Sequence, residues 1–203
     1  MSYKTCGKRI FDFVCALIGF LVLSPLLVII AILIKVDSKG PVFFFQERMG
    51  KEGKIFRLVK FRSMYVDPVQ EKKGFTPGDS SRITRIGKFI RKTKIDELPE
   101  LINVIKGEMS LVGPRPEVPR YKHIYDAEYR AVLTLKPGIT DPASIKYKDE
   151  EEILARSSDP EKMYIETILP DKLKINLSYL KEISFCNDLK IILDTIVRLI
   201  FRH

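Results

Sequence analysis

The fold of this chain is decided by residues 13–34, FVCALIGFLVLSPLLVIIAILI. The segment has no charged side chain, and at about 1.5 Å per helical residue it can cross a bilayer core of about 30 Å. No signal-peptide cleavage site follows it, because the charged sequence from Lys35 to Lys39 leads directly into the rest of the chain. We therefore expect a membrane anchor over residues 1–38 and one domain over residues 39–203.

Ser24 and Pro25 interrupt the apolar segment near its middle. Pro25 has no N–H to donate to the carbonyl of Leu21, so we expect a helix-break-helix, with the Ser24 hydroxyl bonded to a freed carbonyl. Positive charge on both flanks favours two cytoplasmic ends; it comes from Lys4, Lys8, Arg9, Lys35 and Lys39. From these residues alone, a spanning helix and a re-entrant helix both stay open.

The composition is that of a globular domain, with 45% hydrophobic and 30% charged residues among 203. Its formal net charge of +9 favours anionic partners, which are nucleic acid, anionic lipid or phosphorylated substrates. Only two histidines are present, which argues against a zinc site or a Ser-His-Asp triad. The sequence also has no Walker loop and no GxGxxG motif.

The pattern beyond the anchor predicts an α+β fold that is mostly helical. Aromatic and β-branched residues predict a β-hairpin with strands at 41–46 and 54–61, and Pro and Gly predict a loop over 66–80. Helices are predicted near 82–92, 97–106, 117–134, 160–168, 171–182 and 187–202. The last one is amphipathic, and its apolar face suits either the protein core or a membrane surface.

Two adjacent carboxylates, Asp96 and Glu97, stand in the sequence KIDELPEL of residues 94–101. The structural interpretation is a helix start, in which Asp96 caps the helix and Glu97 lies in its first turn. The functional interpretation is a phosphate site, since neighbouring helical residues diverge by about 100° and suit different tasks. One carboxylate would attack, and the other would hold Mg²⁺ or handle a proton.

Several basic residues accompany the carboxylates, and Arg115 differs from the rest because Pro114 and Pro116 restrict its backbone. A guanidinium fixed in this way suits two-point phosphate binding, but it also suits a structural ion pair. The other basic candidates suit either a phosphate site or a solvated surface that faces lipid headgroups. They are Lys60, Arg62, Arg82 and Arg91.

At these residues the chain resembles the bacterial monotopic phosphoglycosyl transferases, the small sugar transferases that begin lipid-linked glycan assembly. The resemblance rests on the order and number of short matches along nearly the whole chain. They are Lys8-Arg9 with Asp12, Ser24-Pro25, Gly40–Phe43, Gln46–Gly50, Lys60–Met64, Arg82, Gly87, Arg91, Asp96–Pro99, Asn103-Val104, Lys106-Gly107, Met109-Ser110, Gly113–Pro116 and Lys136–Thr140.

The resemblance implies a re-entrant membrane helix and a catalytic domain on the cytoplasmic face of the bacterial inner membrane, with no further membrane segments before the anchor. It implies a Mg²⁺-dependent transfer of a phosphosugar from a UDP-sugar to polyprenyl phosphate, with release of UMP. By analogy, Asp96 attacks the β-phosphate and forms a covalent intermediate, and Glu97 supports the metal or a proton. Arg115 would bind phosphate, while Arg91 and Lys60 would neutralise charge.

Residues 141–152 depart from the family's usual sequence after Thr140, so no particular sugar is predicted. The resemblance implies membrane lipid and no nucleic acid as partners, and it leaves a monomer and a homodimer open. Two other function classes remain as alternatives. One is a basic membrane-bound scaffold that binds anionic lipid or nucleic acid, and the other is a metal-dependent phosphohydrolase that acts without a lipid acceptor.

Overall fold

One long apolar helix, α1 (Lys8–Asp37), stands at the start of the computed structural model, which describes residues 3–66, 82–125 and 128–200. A π-helical turn, Tyr3–Gly7, precedes it. The helix continues through Pro25, so the predicted separation into two helices is not what the structure shows. The Ser24 hydroxyl does donate to the carbonyl of Leu21 at 2.7 Å, as expected for a carbonyl that Pro25 leaves free. A bend at Pro25 stays a prediction.

The middle of α1 packs on the rest of the protein along one face only, through the partly buried Phe20, Leu23, Leu26 and Leu27. Within the described part of the chain, α1 alone is long and apolar enough to cross a membrane, and only 11% of its most apolar stretch is buried. Its buried residues lie towards the two ends, with Asp12 and Ala16 on one side of Pro25 and Ile30 and Ile34 on the other. The rest of the apolar surface in the middle is therefore left to face another apolar medium.

Both ends of α1 are attached to the same domain. Near the first end, Asp12 accepts hydrogen bonds from the hydroxyl of Ser110 and the backbone N–H of Leu111. Near the second end, Ile30 and Ile34 pack with Phe61 and Ile90. This packing fixes where the helix begins and ends relative to the domain.

The predicted hairpin is confirmed, with strands β1 (Phe43–Met49) and β2 (Ile55–Phe61). The strands are antiparallel, and Phe43 lies opposite Phe61 while Met49 lies opposite Ile55. A 3₁₀ turn, Lys51–Gly53, joins them. The first strand begins two residues later than predicted and runs on to Met49, because the whole length of β2 provides it with a hydrogen-bonding partner.

A second, two-stranded sheet is parallel and was not predicted. It pairs β3 (Ser110–Val112) with β4 (Gly138–Thr140), and Ser110 lies opposite Gly138. Each strand has three residues, which is too short for an alternating pattern to be recognised. A Cβ at Gly138 would overlap the backbone of Gly113, so this close approach requires glycine.

The remaining helices are short except for the last two. They are α2 (Arg85–Lys92), α3 (Leu101–Lys106), α4 (Pro142–Lys146), α5 (Glu150–Ala155), α6 (Pro160–Met163), α7 (Leu169–Glu182) and α8 (Phe185–Ile200). A π-helical turn, Tyr164–Ile168, joins α6 to α7, so the helix predicted over 160–168 is confirmed. Besides the turn in the hairpin, the described residues form 3₁₀ turns at Ile95–Glu100, Pro119–Ile124 and Arg130–Thr134.

The single helix predicted over 117–134 is wrong, since the described residues of this range form two 3₁₀ turns, Pro119–Ile124 and Arg130–Thr134. Pro119 disfavours helical geometry at Val118, which is extended and lies outside the turn. The loop predicted over 66–80 lies, apart from Val66, outside the described residues.

The final helix, α8, has one buried side and one exposed apolar side. It buries Ile191 and Asp188, and Asp188 accepts hydrogen bonds from Tyr3, Lys8 and Tyr179. The opposite side exposes large apolar side chains: Phe185, Leu189, Leu193, Ile196, Val197 and Leu199. The predicted amphipathic helix is confirmed, and Ile191 packs in the protein core as one interpretation expects. Contact of the exposed apolar side with a membrane surface stays a prediction.

Candidate active site

The two adjacent carboxylates lie on the 3₁₀ turn Ile95–Glu100, directly before α3. Lys94, with φ 58°, occupies the position before the turn, and no side chain caps it. Asp96 is therefore not the helix cap that the structural interpretation predicted. Pro99 lies inside the turn and has no N–H to donate, which weakens α-helical hydrogen bonding here.

Asp96 is buried, with 9% of its surface exposed, and its Oδ1 atom has no hydrogen-bond partner within the described structure. Burial and the adjacent charge of Glu97 raise its pKa to about 6, against the opposing effect of Lys60, Lys94 and Arg91. An unpaired buried carboxylate oxygen is costly unless something binds it. Asp96 is thus the carboxylate with an oxygen available for chemistry.

Glu97 has the opposite environment, because cations hold both of its oxygens. Lys60 Nζ donates to Oε1 at 2.8 Å, and the two terminal nitrogens of Arg115 donate to Oε1 and Oε2. Burial would raise the pKa of Glu97, but Arg115 and Lys60 hold it well below its usual range. Glu97 is therefore a fixed anion that holds two cations, and one of them, Lys60, is close enough to lower the pKa of Asp96.

A third carboxylate, Glu100, belongs to this cluster and was not predicted as a site residue. It is 1% exposed, and its Oε1 lies 3.3 Å from Lys60 Nζ without a well-aligned hydrogen bond. Burial, opposed by Lys60 and assisted by Glu97, raises its pKa to about 7. In the sequence, the one sign of this cluster is the spacing of Glu97 and Glu100. Across a helical turn, that spacing allows one residue to reach both carboxylates.

Arg115 is held from its backbone as well as through its side chain. Its N–H donates to Asp141 Oδ2 at 3.2 Å, and Asp141 also caps α4 by accepting from the N–H of Ser144. The charge of Glu97 raises the pKa of Arg115 well above its ordinary value. Asp141, the first residue of the segment that departs from the family's sequence, thus supports the guanidinium.

The other predicted basic residues are placed differently. Arg62 is 4% exposed and donates to the backbone carbonyls of Ser38 and Lys39 and to the Ser38 hydroxyl, so it caps the end of α1. These bonds use its two terminal nitrogens, whereas its Nε has no partner within the described structure, so a role of Arg62 in phosphate binding stays a prediction. Arg91, in the last turn of α2, is close enough to lower the pKa of Asp96. Arg82 pairs through its carbonyl with the N–H of Tyr65, at the border of the described residues.

The carboxylates fit a divalent cation only in part. The described residues contain no group of three or more His, Cys, Asp or Glu side chains placed to hold a metal. Mg²⁺ commonly binds one or two carboxylates together with substrate phosphates, and the unpaired Oδ1 of Asp96 suits that arrangement. Glu97 suits it less, since both of its oxygens already accept from cations.

Residues 3–202 match the family model described as bacterial sugar transferase. The chain is 40% identical over 201 residues to an undecaprenyl-phosphate glucose phosphotransferase of Komagataeibacter xylinus, covering 96% of this chain and 36% of that protein. It is 38% identical over 194 residues to a UDP-N-acetylgalactosamine-undecaprenyl-phosphate N-acetylgalactosaminephosphotransferase of Aeromonas hydrophila, covering 93% and 42%. A UDP-glucose:undecaprenyl-phosphate glucose-1-phosphate transferase of Caulobacter vibrioides is 34% identical over 201 residues, covering 95% and 69%.

The chain thus spans 36% and 42% of the length of the first two relatives. The matched part contains the carboxylate cluster, both sheets and all of α1 and α8, since it extends from residue 3 to residue 202. The chain belongs to the bacterial sugar transferase family.

Proposed function

We propose that this protein transfers a sugar 1-phosphate from a UDP-sugar to polyprenyl phosphate, such as undecaprenyl phosphate, and releases UMP. The observation that carries the proposal is the unpaired, buried Oδ1 of Asp96 beside a Glu97 that is fixed by two cations. This arrangement provides a nucleophile and, next to it, positive charge for a diphosphate. The names of the relatives, which act on undecaprenyl phosphate, agree with this reaction.

The reaction proceeds in two displacements at the β-phosphorus of the UDP-sugar. Asp96 attacks this phosphorus, and the bond to the oxygen that bridges it to the α-phosphorus breaks, so that UMP leaves and a phosphosugar remains on the carboxylate. A phosphate oxygen of the polyprenyl phosphate then attacks the same phosphorus and frees Asp96. Splitting the transfer in this way means that the soluble donor and the lipid acceptor need not be bound together.

The environment of Asp96 suits nucleophilic attack. Its raised pKa, about 6, makes the carboxylate more basic than an ordinary aspartate and still leaves it largely ionised at neutral pH. Lys60 acts on Asp96 directly, and Arg115 is bonded to the neighbouring Glu97. Their charges would offset repulsion between the carboxylate and the diphosphate. Arg91 adds to this positive charge.

Mg²⁺ is the cofactor that we propose, and Asp96 and Glu97 are the residues that would hold it together with the diphosphate of the donor. When bound, it supplies charge neutralisation for the transferred phosphate. The protein's own part is to keep one oxygen of Asp96 unbonded and to hold Lys60 and Arg115 in place.

We propose that α1 is re-entrant and that the domain lies on the cytoplasmic face of the bacterial inner membrane. The support is that Asp12 and Ile34, near opposite ends of α1, both pack on this domain. The face of the helix turned away from the domain exposes large apolar side chains, among them Val22 and Val28. Positive residues at both ends agree with a cytoplasmic position for each. The exposed apolar side of α8 would lie at the same membrane surface.

This topology is tested by placing a single cysteine at Lys4 or Lys39 in a chain without other cysteines. Both positions are exposed and flank α1. A membrane-impermeant maleimide should label both in inverted vesicles and neither in right-side-out vesicles. Labelling of the two positions from opposite sides would show a spanning helix and overturn the re-entrant proposal.

The activity is tested by incubating the purified protein in nanodiscs with Mg²⁺, undecaprenyl phosphate and a panel of UDP-sugars while UMP is measured. We expect UMP release with at least one sugar, dependent on the lipid. Asp96→Asn should abolish it, whereas Asp149→Asn, at an exposed carboxylate paired with Lys148, should retain it. Hydrolysis without lipid would indicate a phosphohydrolase, and normal turnover by Asp96→Asn would exclude the covalent role.

A further inference from the structure

Lys136, just before β4, is a half-buried lysine surrounded mainly by other cations. Within the described part of the chain, its ammonium has no hydrogen-bond or ion-pair partner. Burial and the charges of Arg9 and Lys51 lower its pKa, and Asp12 opposes them only in part. Asp12 is also occupied with Lys8, Ser110 and Leu111. The region around Lys136 therefore has more positive than negative charge.

Lys136 and Arg9 converge above one backbone position, Gly107. A Cβ placed on Gly107 would lie 3.1 Å from a terminal nitrogen of Arg9 and 3.6 Å from Lys136 Nζ. Gly107 ends α3 in the left-handed conformation, with φ +85°, so the space between the two cations has no side chain of its own. Because both cations lie within 3.6 Å of this one position, their charges repel each other unless an anion lies between them.

Arg9 is held rigidly at this place. Its two terminal nitrogens donate to the carbonyls of Val104 and Ile105, at 2.6 and 2.9 Å, and so cap the end of α3. These two bonds use two of the five N–H donors of a guanidinium, which leaves others for a ligand. The cation at Arg9 is thus positioned in advance, which reduces the entropy lost on binding.

The space between Arg9 and Lys136 lies beside the apolar surface of α1. The Arg9 guanidinium stands over the ring of Phe13 at 5.6 Å, and Phe13 is 40% exposed. The charged groups that shift the pKa of Lys136 are Arg9, Asp12 and Lys51, and none of them belongs to the cluster of Asp96, Glu97 and Glu100. The space between Arg9 and Lys136 is therefore distinct from the site of the proposed transfer.

We propose that Arg9 and Lys136, which converge above Gly107, form a second anion site, which takes a phosphate group at the polar edge of the membrane helix. Lys136 would donate to one phosphate oxygen and Arg9 to another, and the exposed Lys51 would add to the attraction. The phosphate can come from a phospholipid headgroup or from solution. The proposal does not depend on the transferase activity.

The test uses the full chain in a neutral detergent with ¹³C-labelled lysine, and it follows the side-chain resonance of Lys136. Lys136→Arg identifies that resonance, because it removes the signal and keeps the charge. The added probes are sodium phosphate, with ionic strength held constant by sodium chloride, short-chain phosphatidylglycerol, and a monoacylglycerol without phosphate. We expect a saturable shift with the phosphate-containing probes and none with the monoacylglycerol.

Calorimetry of the same probes measures how much Lys136 contributes. Lys136→Gln should weaken binding by about tenfold, the loss expected for one charge-assisted hydrogen bond. Lys162→Gln, at an exposed lysine of α6, removes the same charge and should not weaken it. If Lys136→Gln does not fold, Lys136→Arg is the binding variant, and it should retain the affinity of the wild type.

The outcomes separate the sources of phosphate. Binding of phosphatidylglycerol alone supports a headgroup site, and binding of inorganic phosphate as well supports a site for the phosphate group itself. A Lys136 resonance that stays unmoved at saturating concentrations of both probes would overturn the proposal. So would an equal loss of affinity in Lys136→Gln and Lys162→Gln, since the effect would then be one of net charge.

Discussion

Arg115 binds both carboxylate oxygens of Glu97, while Lys60 binds one of them from the neighbouring strand β2. The three side chains come from three separate elements: the 3₁₀ turn Ile95–Glu100, the Pro114–Pro116 segment and the hairpin. Glu97 therefore joins these elements around Asp96. Its main contribution is to place positive charge where a diphosphate would bind.

The first prediction concerns the two-point geometry of the Arg115 pair. Arg115→Lys keeps the charge but can make only one of the two bonds to Glu97, so kcat/KM for UMP release should fall by about 10- to 100-fold. Arg120→Lys is the matched control, because Arg120 pairs with Glu161 at 3.4 Å on the surface. Equal kinetics for wild type and Arg115→Lys would show that charge alone matters.

The second prediction concerns the buried Glu100. Its pKa is about 7 in the folded protein and about 4.3 in an unfolded chain. Between these values the folded state binds more protons, so the free energy of unfolding decreases as pH rises through this window. Glu100→Gln removes the titration, and it should therefore be more stable than the wild type by about 1 to 3 kcal/mol above pH 7.

The measurement is the unfolding free energy of both proteins in detergent at pH 4.5 and at pH 8. The advantage of Glu100→Gln should be small at the lower pH and large at the higher pH. Glu161→Gln, at an exposed glutamate, serves as the control and should show little change between the two. An advantage of equal size at both pH values would mean that Glu100 is not titrating in this range.

The elements that could be predicted from the sequence are those with a local pattern. Uninterrupted apolarity predicted α1, and aromatic and β-branched residues predicted the hairpin. The proline-restricted backbone of Arg115 indicated a fixed guanidinium, and the structural interpretation of an ion pair describes its contact with Glu97. The predicted phosphate role and the ion pair do not exclude each other, since the pair holds Arg115 on the residue next to Asp96 in the chain.

The features that could not be predicted depend on tertiary contacts. In the sequence, Arg62 cannot be distinguished from the other basic residues. It donates to the carbonyl of Ser38, 24 positions away, because the chain returns past the end of α1 in the folded protein. Glu100 looked like an ordinary first-turn carboxylate, and its burial results from packing around it. The parallel pairing of β3 with β4 joins two three-residue strands across a long connection.

The third prediction separates the structural role of Arg62 from phosphate binding. Arg62→Met leaves the last carbonyls of α1 without their donor, so the free energy of unfolding should fall by about 2 to 4 kcal/mol. Arg57→Met, at an exposed residue of β2, the strand that ends directly before Arg62, should change stability little. A raised KM for the UDP-sugar with unchanged stability would instead support the phosphate role.

The fourth prediction concerns Lys94, a non-glycine residue with φ 58° directly before the carboxylates. This left-handed conformation costs a lysine about 1 kcal/mol, and glycine adopts it without that cost. The charge of Lys94 also lowers the pKa of Asp96 and of Glu97. Lys94 therefore combines local strain with an electrostatic effect on the candidate nucleophile.

Two substitutions separate these contributions. Lys94→Ala removes the charge and keeps the strain, whereas Lys94→Gly removes both, so the glycine variant should be more stable by about 1 kcal/mol. In both variants the pKa of Asp96 should rise above about 6. Since the ionised form attacks, the pH at which UMP release falls to half should move upward. Lys88→Ala, at an exposed lysine of α2, should leave that pH in place; an unmoved profile in all three variants would show that Lys94 acts on the backbone alone.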